Sequence, residues 1–178
     1  MQQALIDWTR NYIRGTHPMS WMEERIFEWG PIASNCLQKV LEGKTILLLT
    51  DEESAWLEEY IPKKINNPSL NRPMIPLYPL KQIYPNVDDI KNSGDIEVMN
   101  DMLSISFEGG YFIWYIGRSD HPYTRVAFRD DENFLWVFND EIQSAFNLKS
   151  YDKDCDIKLL ELFRLFNDSI DAALFEEL

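Results

Sequence analysis

Three stretches of this chain are apolar without alternation: Thr45-Ile-Leu-Leu-Leu-Thr50, Tyr111-Phe-Ile-Trp-Tyr-Ile-Gly117 and Phe134-Leu-Trp-Val-Phe138. A strand with one face in water alternates apolar and polar residues. A run that does not alternate is buried on both faces, which is the condition of strands in a parallel sheet covered by helices. Parallel neighbours need crossover connections, so helical segments should separate these runs.

The intervening sequence supplies them. Residues 3–14 place Ala4, Leu5, Trp8, Tyr12 and Ile13 at helical spacing, with Gly15 and Pro18 as the stop. Ser20 opens a longer helix, with Glu23 as the far member of a capping box and Gly43 as its end. Its apolar face runs through Met22, Ile26, Trp29, Ala33, Cys36, Leu37, Val40 and Leu41, and Pro31 should kink it against the carbonyl of Phe27. Residues 52–65 read as a helix disturbed by Pro62, residues 81–94 as loop, 95–106 as a helix and 120–130 as a short helix. A long helix over 154–175 carries one stripe of Ile157, Leu160, Phe163, Phe166, Ile170, Ala173 and Leu174, and a second of Leu159, Leu162 and Leu165. Two weaker strands complete the set. Residues 74–79 are apolar but broken by prolines, which suits a short or edge strand, and 144–149 alternate weakly. The expectation is a three-layer α/β sandwich with a five-stranded parallel sheet (45–50, 74–79, 111–117, 134–139, 144–149), Rossmann-like, with long N- and C-terminal helices.

The terminal helices hold more apolar surface than one sheet face can hide, Trp8, Trp21, Phe27 and Trp29 included. That predicts self-association through them, because monomers rarely expose large apolar patches.

Charge narrows the function. With 17 basic against 30 acidic residues the chain carries a formal charge of −13. Phosphate backbones and anionic membranes both demand concentrated Lys and Arg, so direct nucleic-acid binding and membrane attachment are excluded as expectations. No run reaches the ~18 apolar residues of a membrane helix. The N-terminus lacks signal-peptide order, and two cysteines make no disulfide framework, so a cytoplasmic protein is expected.

In an open parallel sheet, ligands sit at the carboxyl ends of the strands. The first such end reads Thr50-Asp51-Glu52-Glu53-Ser54, carboxylates where a phosphate site needs glycines and free amides. They repel a phosphate and suit a capping role. After the third strand, Ser119-Asp120-His121 contains the residue types of a hydrolase triad, but sequence neighbours rarely converge as one and no G-x-S-x-G elbow is present. A turn with Asp120 as helix cap is the simpler reading, and His17 reads as exposed. Asp130-Asp131-Glu132 and Asp152/Asp154/Asp156 lack calcium-loop spacing, and neither Cys36 nor Cys155 has a zinc-type partner. No catalytic residue, metal or cofactor is assigned. The tail holds the remaining candidates. Leu174 and Phe175 are adjacent at a helix end and face directions about 100° apart, so at most one points into the core. Glu176 and Glu177 sit where the helix dipole disfavours negative charge, which should fray the last turn.

Beyond these arguments, the chain after residue 18 resembles the HobA family of DnaA-associating proteins in bacterial replication initiation. The resemblance rests on Trp21-Met-Glu-Glu-Arg25, on the strands 111–117 and 134–138, and on Asp156-Ile-Lys-Leu-Leu-Glu-Leu-Phe-Arg-Leu-Phe166. That family looks like a divergent branch of the sugar-isomerase (SIS) fold, beside the DiaA proteins. The resemblance implies a single SIS-like domain over residues 1–178 and a homotetramer. It also implies a non-enzymatic scaffold that binds the N-terminal domain of DnaA and promotes its assembly at the chromosomal origin. The stretch 170–175 is similar to the DiaA tail, whose Leu-Phe pair meets DnaA, and this assigns partner binding to Leu174 and Phe175. The alternative is a sugar-phosphate isomerase or sugar-phosphate-binding protein of the same fold. Against it, Asp51-Glu52-Glu53 replaces the Gly/Ser-rich loop that SIS proteins use for the phosphate.

Overall fold

The computed structural model describes residues 1–15, 19–175 and 178. Its centre is a five-stranded, all-parallel sheet of order β2-β1-β3-β4-β5, with β1 Thr45–Thr50, β2 Leu77–Pro79, β3 Tyr111–Arg118, β4 Phe134–Phe138 and β5 Phe146–Leu148. The three unalternating runs are the three interior strands. The proline-broken segment and the weak one are the edges, each three residues long, shorter than expected. Pro73 and Pro76 remove amide donors ahead of β2, so only Leu77–Pro79 pairs with β1.

Side chains alternate between two helical layers. Ile46, Leu48, Trp114, Ile116, Trp136 and Phe146 face α1 (Gln2–Gly15), α2 (Ile26–Leu41), α3 (Leu57–Ile65) and α7 (Cys155–Leu174). Leu47, Leu49, Ile113, Tyr115, Leu135 and Val137 face α4 (Leu80–Ile83), α5 (Ser93–Ser106) and α6 (Thr124–Ala127). Trp29 of α2 anchors the first layer. It meets Phe146 and Phe166 edge-on at 5.7 and 6.4 Å, and Trp114 meets Trp136 at 4.9 Å.

Several local expectations change. Ser20–Arg25 is a 3₁₀ helix, and no side chain caps it. The capping box does not form because Glu23 turns back to Arg14 of α1, 3.1 Å away. The helix α2 runs on through Pro31, and the departure from helical dihedrals lies at Arg25 (φ −109°, ψ 4°). Pro31 is close enough to the start of α2 that only the carbonyl of exposed Phe27 loses a partner. Residues 52–56 form turns ahead of α3, and the expected loop 81–94 contains α4 and a 3₁₀ helix over Pro85–Asp89. In α7 the buried face is centred on Leu159, Leu162, Phe166 and Ile170, while Ile157 points outward. The position of the Trp29–Phe166 contact sets that rotation. The stop at Pro18, the exposure of His17 and the fraying assigned to Glu176 and Glu177 lie outside the described residues.

The apolar surplus of the terminal helices is smaller than their composition suggests. Trp29 is in the core, Trp21 packs on Phe146 and donates its indole N–H to Glu161 at 2.6 Å, and Trp8 stacks on Tyr12. What stays exposed there is Phe27, Leu41, Ile157 and Phe175. Among the described residues no helix is long and apolar enough to cross a membrane.

Candidate functional site

The strand order reverses between β1 and β3, so the crevice at their carboxyl ends is where this topology takes ligands. Here the chain fills it. Asp51, the first residue after β1, is buried, and its two carboxylate oxygens are both occupied. Oδ2 accepts the Arg118 backbone N–H at 2.9 Å, and Oδ1 accepts the Ser54 N–H at 2.9 Å. Amides that would otherwise be free to meet an anion are satisfied internally by a carboxylate.

Tyr115 closes the space from the β3 side. Its phenol donates to the Arg118 carbonyl at 2.8 Å, curling over the strand end. Gly117 permits this: a Cβ there would lie 2.6 Å from the Tyr115 hydroxyl and 3.0 Å from Asp51 Cγ. Burial, and then the Asp51 charge, push the Tyr115 phenol well above its ordinary range.

The surrounding charges are paired with each other. Arg118 reaches Glu53 at 3.1 Å and Asp120 at 3.2 Å, and Lys81 lies 3.7 Å from Glu58. Glu58 accepts the Thr50 hydroxyl proton at 3.0 Å. His121 is buried; its Nδ1 accepts the Tyr123 N–H at 3.2 Å, so Nε2 is the nitrogen that donates to Glu52 at 3.1 Å. The N–H of its own residue, and then His121, hold the Glu52 carboxyl below the usual carboxylate range. Ser119, Asp120 and His121 therefore do not converge. Asp120 serves Arg118, both His121 nitrogens are engaged, and α6 has no side-chain cap, so Asp120 is not a helix cap either.

The other acidic groups close turns. Asp130 accepts the Glu132 N–H at 2.9 Å, and Asp152 accepts the Asp154 N–H at 3.0 Å while pairing with Lys158. Cys36 sits in the core. Among the described residues no cluster of three or more His, Cys, Asp or Glu is placed to hold a metal ion.

A cavity of about 920 Å³ lies away from the crevice, beside β5 and the start of α7. Two ion pairs stand in its walls. Arg25 holds Glu28 at 2.6 Å, and Lys158 holds Asp152. Arg25 and Glu28 additionally cover the free edge of β5: the guanidinium donates to the Asn147 carbonyl at 2.6 Å, and Glu28 accepts the Asn147 N–H at 3.3 Å.

The predicted pair at the end of α7 divides as its spacing requires. Leu174 packs half-buried against the first core layer, and Phe175, the C-cap, is 56% exposed. Arg72 fixes this end. Its side chain is buried and donates to the Asn167 carbonyl (3.0 Å), Asn167 Oδ1 (2.6 Å), Asp171 (2.7 Å) and the Ile65 carbonyl (2.6 Å). A cation here also complements the carboxyl end of a helix whose last turn holds no basic residue. Sequence reasoning missed Arg72, which lies in an Asn-Arg-Pro loop without periodicity. It also missed Tyr115 as a plug, because a tyrosine in an unbroken apolar run reads as core.

The model of the HobA family, described as a DNA replication regulator, matches residues 1–178. The DNA replication regulator protein HobA of Helicobacter pylori (strain ATCC 700392 / 26695) is 22% identical over 180 residues, covering 96% of each chain. The crystal structure of a HobA–DnaA (domain I–II) complex from Helicobacter pylori superposes with a TM-score of 0.78 at 21% identity, covering 97% of this chain and 96% of that one. The crystal structure of HobA from the same organism gives 0.70 at 20% identity, covering 97% of both. At these identities the likeness of the structures shows the shared fold.

Proposed function

The chain belongs to the HobA family of DNA replication regulators, and from that premise we propose that it is a non-enzymatic, cytoplasmic scaffold that binds the N-terminal domain of the initiator DnaA and promotes its assembly at the chromosomal origin. The observation that carries this reading is the crevice at the ends of β1 and β3. The place where the fold takes a small ligand is occupied by Asp51 and Tyr115, with Lys81 and Arg118 already paired. A chain of this fold without an open ligand site has its surface to work with, and a relative of the same fold has been crystallised with DnaA domain I–II.

In this reading residues 1–178 form one SIS-like domain and the protein is a homotetramer. Holding several initiator molecules on one body raises their effective concentration without any DNA contact by the scaffold itself. The charge of −13 fits that division of labour, since it suits a protein that handles a DNA-binding partner more than one that handles DNA. Phe175 is the anchor toward DnaA, exposed at the end of a helix held by Arg72, with Leu174 supporting it from the core side.

The test is calorimetric titration of the purified protein with the isolated DnaA N-terminal domain, alongside an electrophoretic shift of origin DNA by the protein alone at physiological salt. Saturable binding with no shift is expected. Failure to bind the domain, or a shift of the DNA by the protein alone, overturns the proposal.

A further inference from the structure

The helix α5 is apolar on two faces. Ile96, Met99 and Leu103 are buried against the sheet. Val98, Met102 and Ile105 form a second stripe at the i, i+4, i+7 spacing of one helix face, and they are 56%, 53% and 79% exposed. A stripe of large apolar side chains on a helix face is ordinarily covered. Among the described residues nothing covers this second face.

Charge beside the stripe says what fits there. Glu97 and Asp101, four residues apart, line one flank, and Glu108 follows just past the helix end. Among the described residues these three carboxylates make no hydrogen bond or ion pair. From Lys91 to Arg118 the chain contains no basic residue between the two. Arg129, which lines the neighbouring shallow cavity with Asn100 and Ser104, pairs with none of them.

We propose that the outer face of α5 is a docking surface for an amphipathic helix of a partner protein, one with an aliphatic stripe flanked by Lys or Arg. Aliphatic anchors at i, i+4 and i+7 are the usual reading frame for helix recognition, and the unpaired acidic line beside them selects a basic flank. A second copy of this chain is a poor occupant. An antiparallel two-fold pairing of α5 on itself sets both acidic lines on the same side, charge against like charge. The surface lies on the opposite face of the sheet from α7 and Phe175, so it is separate from the DnaA contact proposed above.

Two synthetic helical peptides are the probes, both with leucines at i, i+4 and i+7, one flanked by lysines and its twin by glutamates. Fluorescence anisotropy reads their binding to the full-length protein. The lysine peptide should bind at least tenfold more tightly than its twin. The double variant Met102→Asp/Ile105→Asp should weaken it at least tenfold, and Glu97→Lys/Asp101→Lys should reverse the preference between the peptides. All four side chains are exposed, and circular-dichroism melts verify that the variants fold. Phe175→Ala should bind the peptide as the wild type does, so failure here is distinguishable from failure of the DnaA reading. No binding overturns the proposal. Undiminished binding by the stripe variant also overturns it, since that is mere attraction to a negative protein. A third outcome sinks it as well: a wild-type oligomer that falls apart in the stripe variant on sedimentation, because the occupant is then a second copy.

Discussion

Asp51 reaches from the end of β1 to the backbone of Arg118 at the end of β3, and its Oδ2 accepts that N–H at 2.9 Å. One buried carboxylate thus joins the two strands that flank the topological switch point and takes the place of a bound anion. Substituting Asp51→Asn keeps the shape but presents an amide NH₂ to one of two backbone donors. The loss should be about 1–3 kcal/mol, since a buried donor is left without an acceptor. Thermal denaturation checks it. The wild-type protein should show no rise in melting temperature with a panel of sugar phosphates, and a rise with any of them would mean that the crevice opens.

Tyr115 predicts an alkaline limb in the stability curve. Burial first, and then Asp51, raise its pKa in the folded state. A group raised on folding contributes stability that is fully present below its unfolded pKa, here about 10, and is lost as pH rises toward the folded value. Tyr12, beside Asp168, and Tyr123, bonded to Asp88, are raised in the same direction by burial and those carboxylates. Melting temperature measured from pH 8 to 11 should fall above pH 10. Tyr115→Phe should soften that fall while costing about 1 kcal/mol at neutral pH, the worth of its hydrogen bond to the Arg118 carbonyl. An unchanged slope would assign the limb to the other raised tyrosines, Tyr12, Tyr111 and Tyr123.

The β5 edge is sealed by side chains. Arg25 and Glu28 occupy the Asn147 carbonyl and N–H that a further strand would use. The double variant Arg25→Ala/Glu28→Ala should keep the helical signal but associate more strongly with rising concentration, as read by light scattering. A variant that stays as disperse as the wild type would show that the short edge alone is protection enough.

How far the sequence went depended on the range of the interaction. The interior strands were legible because burial on both faces writes itself into consecutive residues. The apolar face that carries Trp29 and Cys36 into the core followed from helical spacing. The same local logic anticipated a divided Leu174–Phe175 pair and carboxylates at the phosphate position. What it could not supply was contacts between distant segments. Glu23 leaves its capping box for Arg14, Ile157 is turned outward by the seating of Phe166 on Trp29, and Asp120 goes to Arg118. Arg72 and Tyr115 carry no periodic signal at all. The outer stripe of α5 was visible as apolar letters, but only the structure shows that Val98 and Ile105 lie on the uncovered side.

The two ends of the α7 argument separate by variant. Phe175 is exposed, so Phe175→Ala should change stability by less than about 0.5 kcal/mol while weakening DnaA binding. If instead the assembly dissociates, Phe175 is an interface residue between copies. Arg72 is the opposite case. Its side chain is only 2% exposed, and Arg72→Ala strands the carbonyls of Ile65 and Asn167 together with Asp171, on the order of 3 kcal/mol for a broken buried pair. Hydrogen exchange should then rise over residues 167–175 ahead of the rest of α7, and DnaA binding should weaken although Phe175 is intact. Fast exchange at the end of α7 with wild-type DnaA affinity would show that the partner does not read this end of the helix.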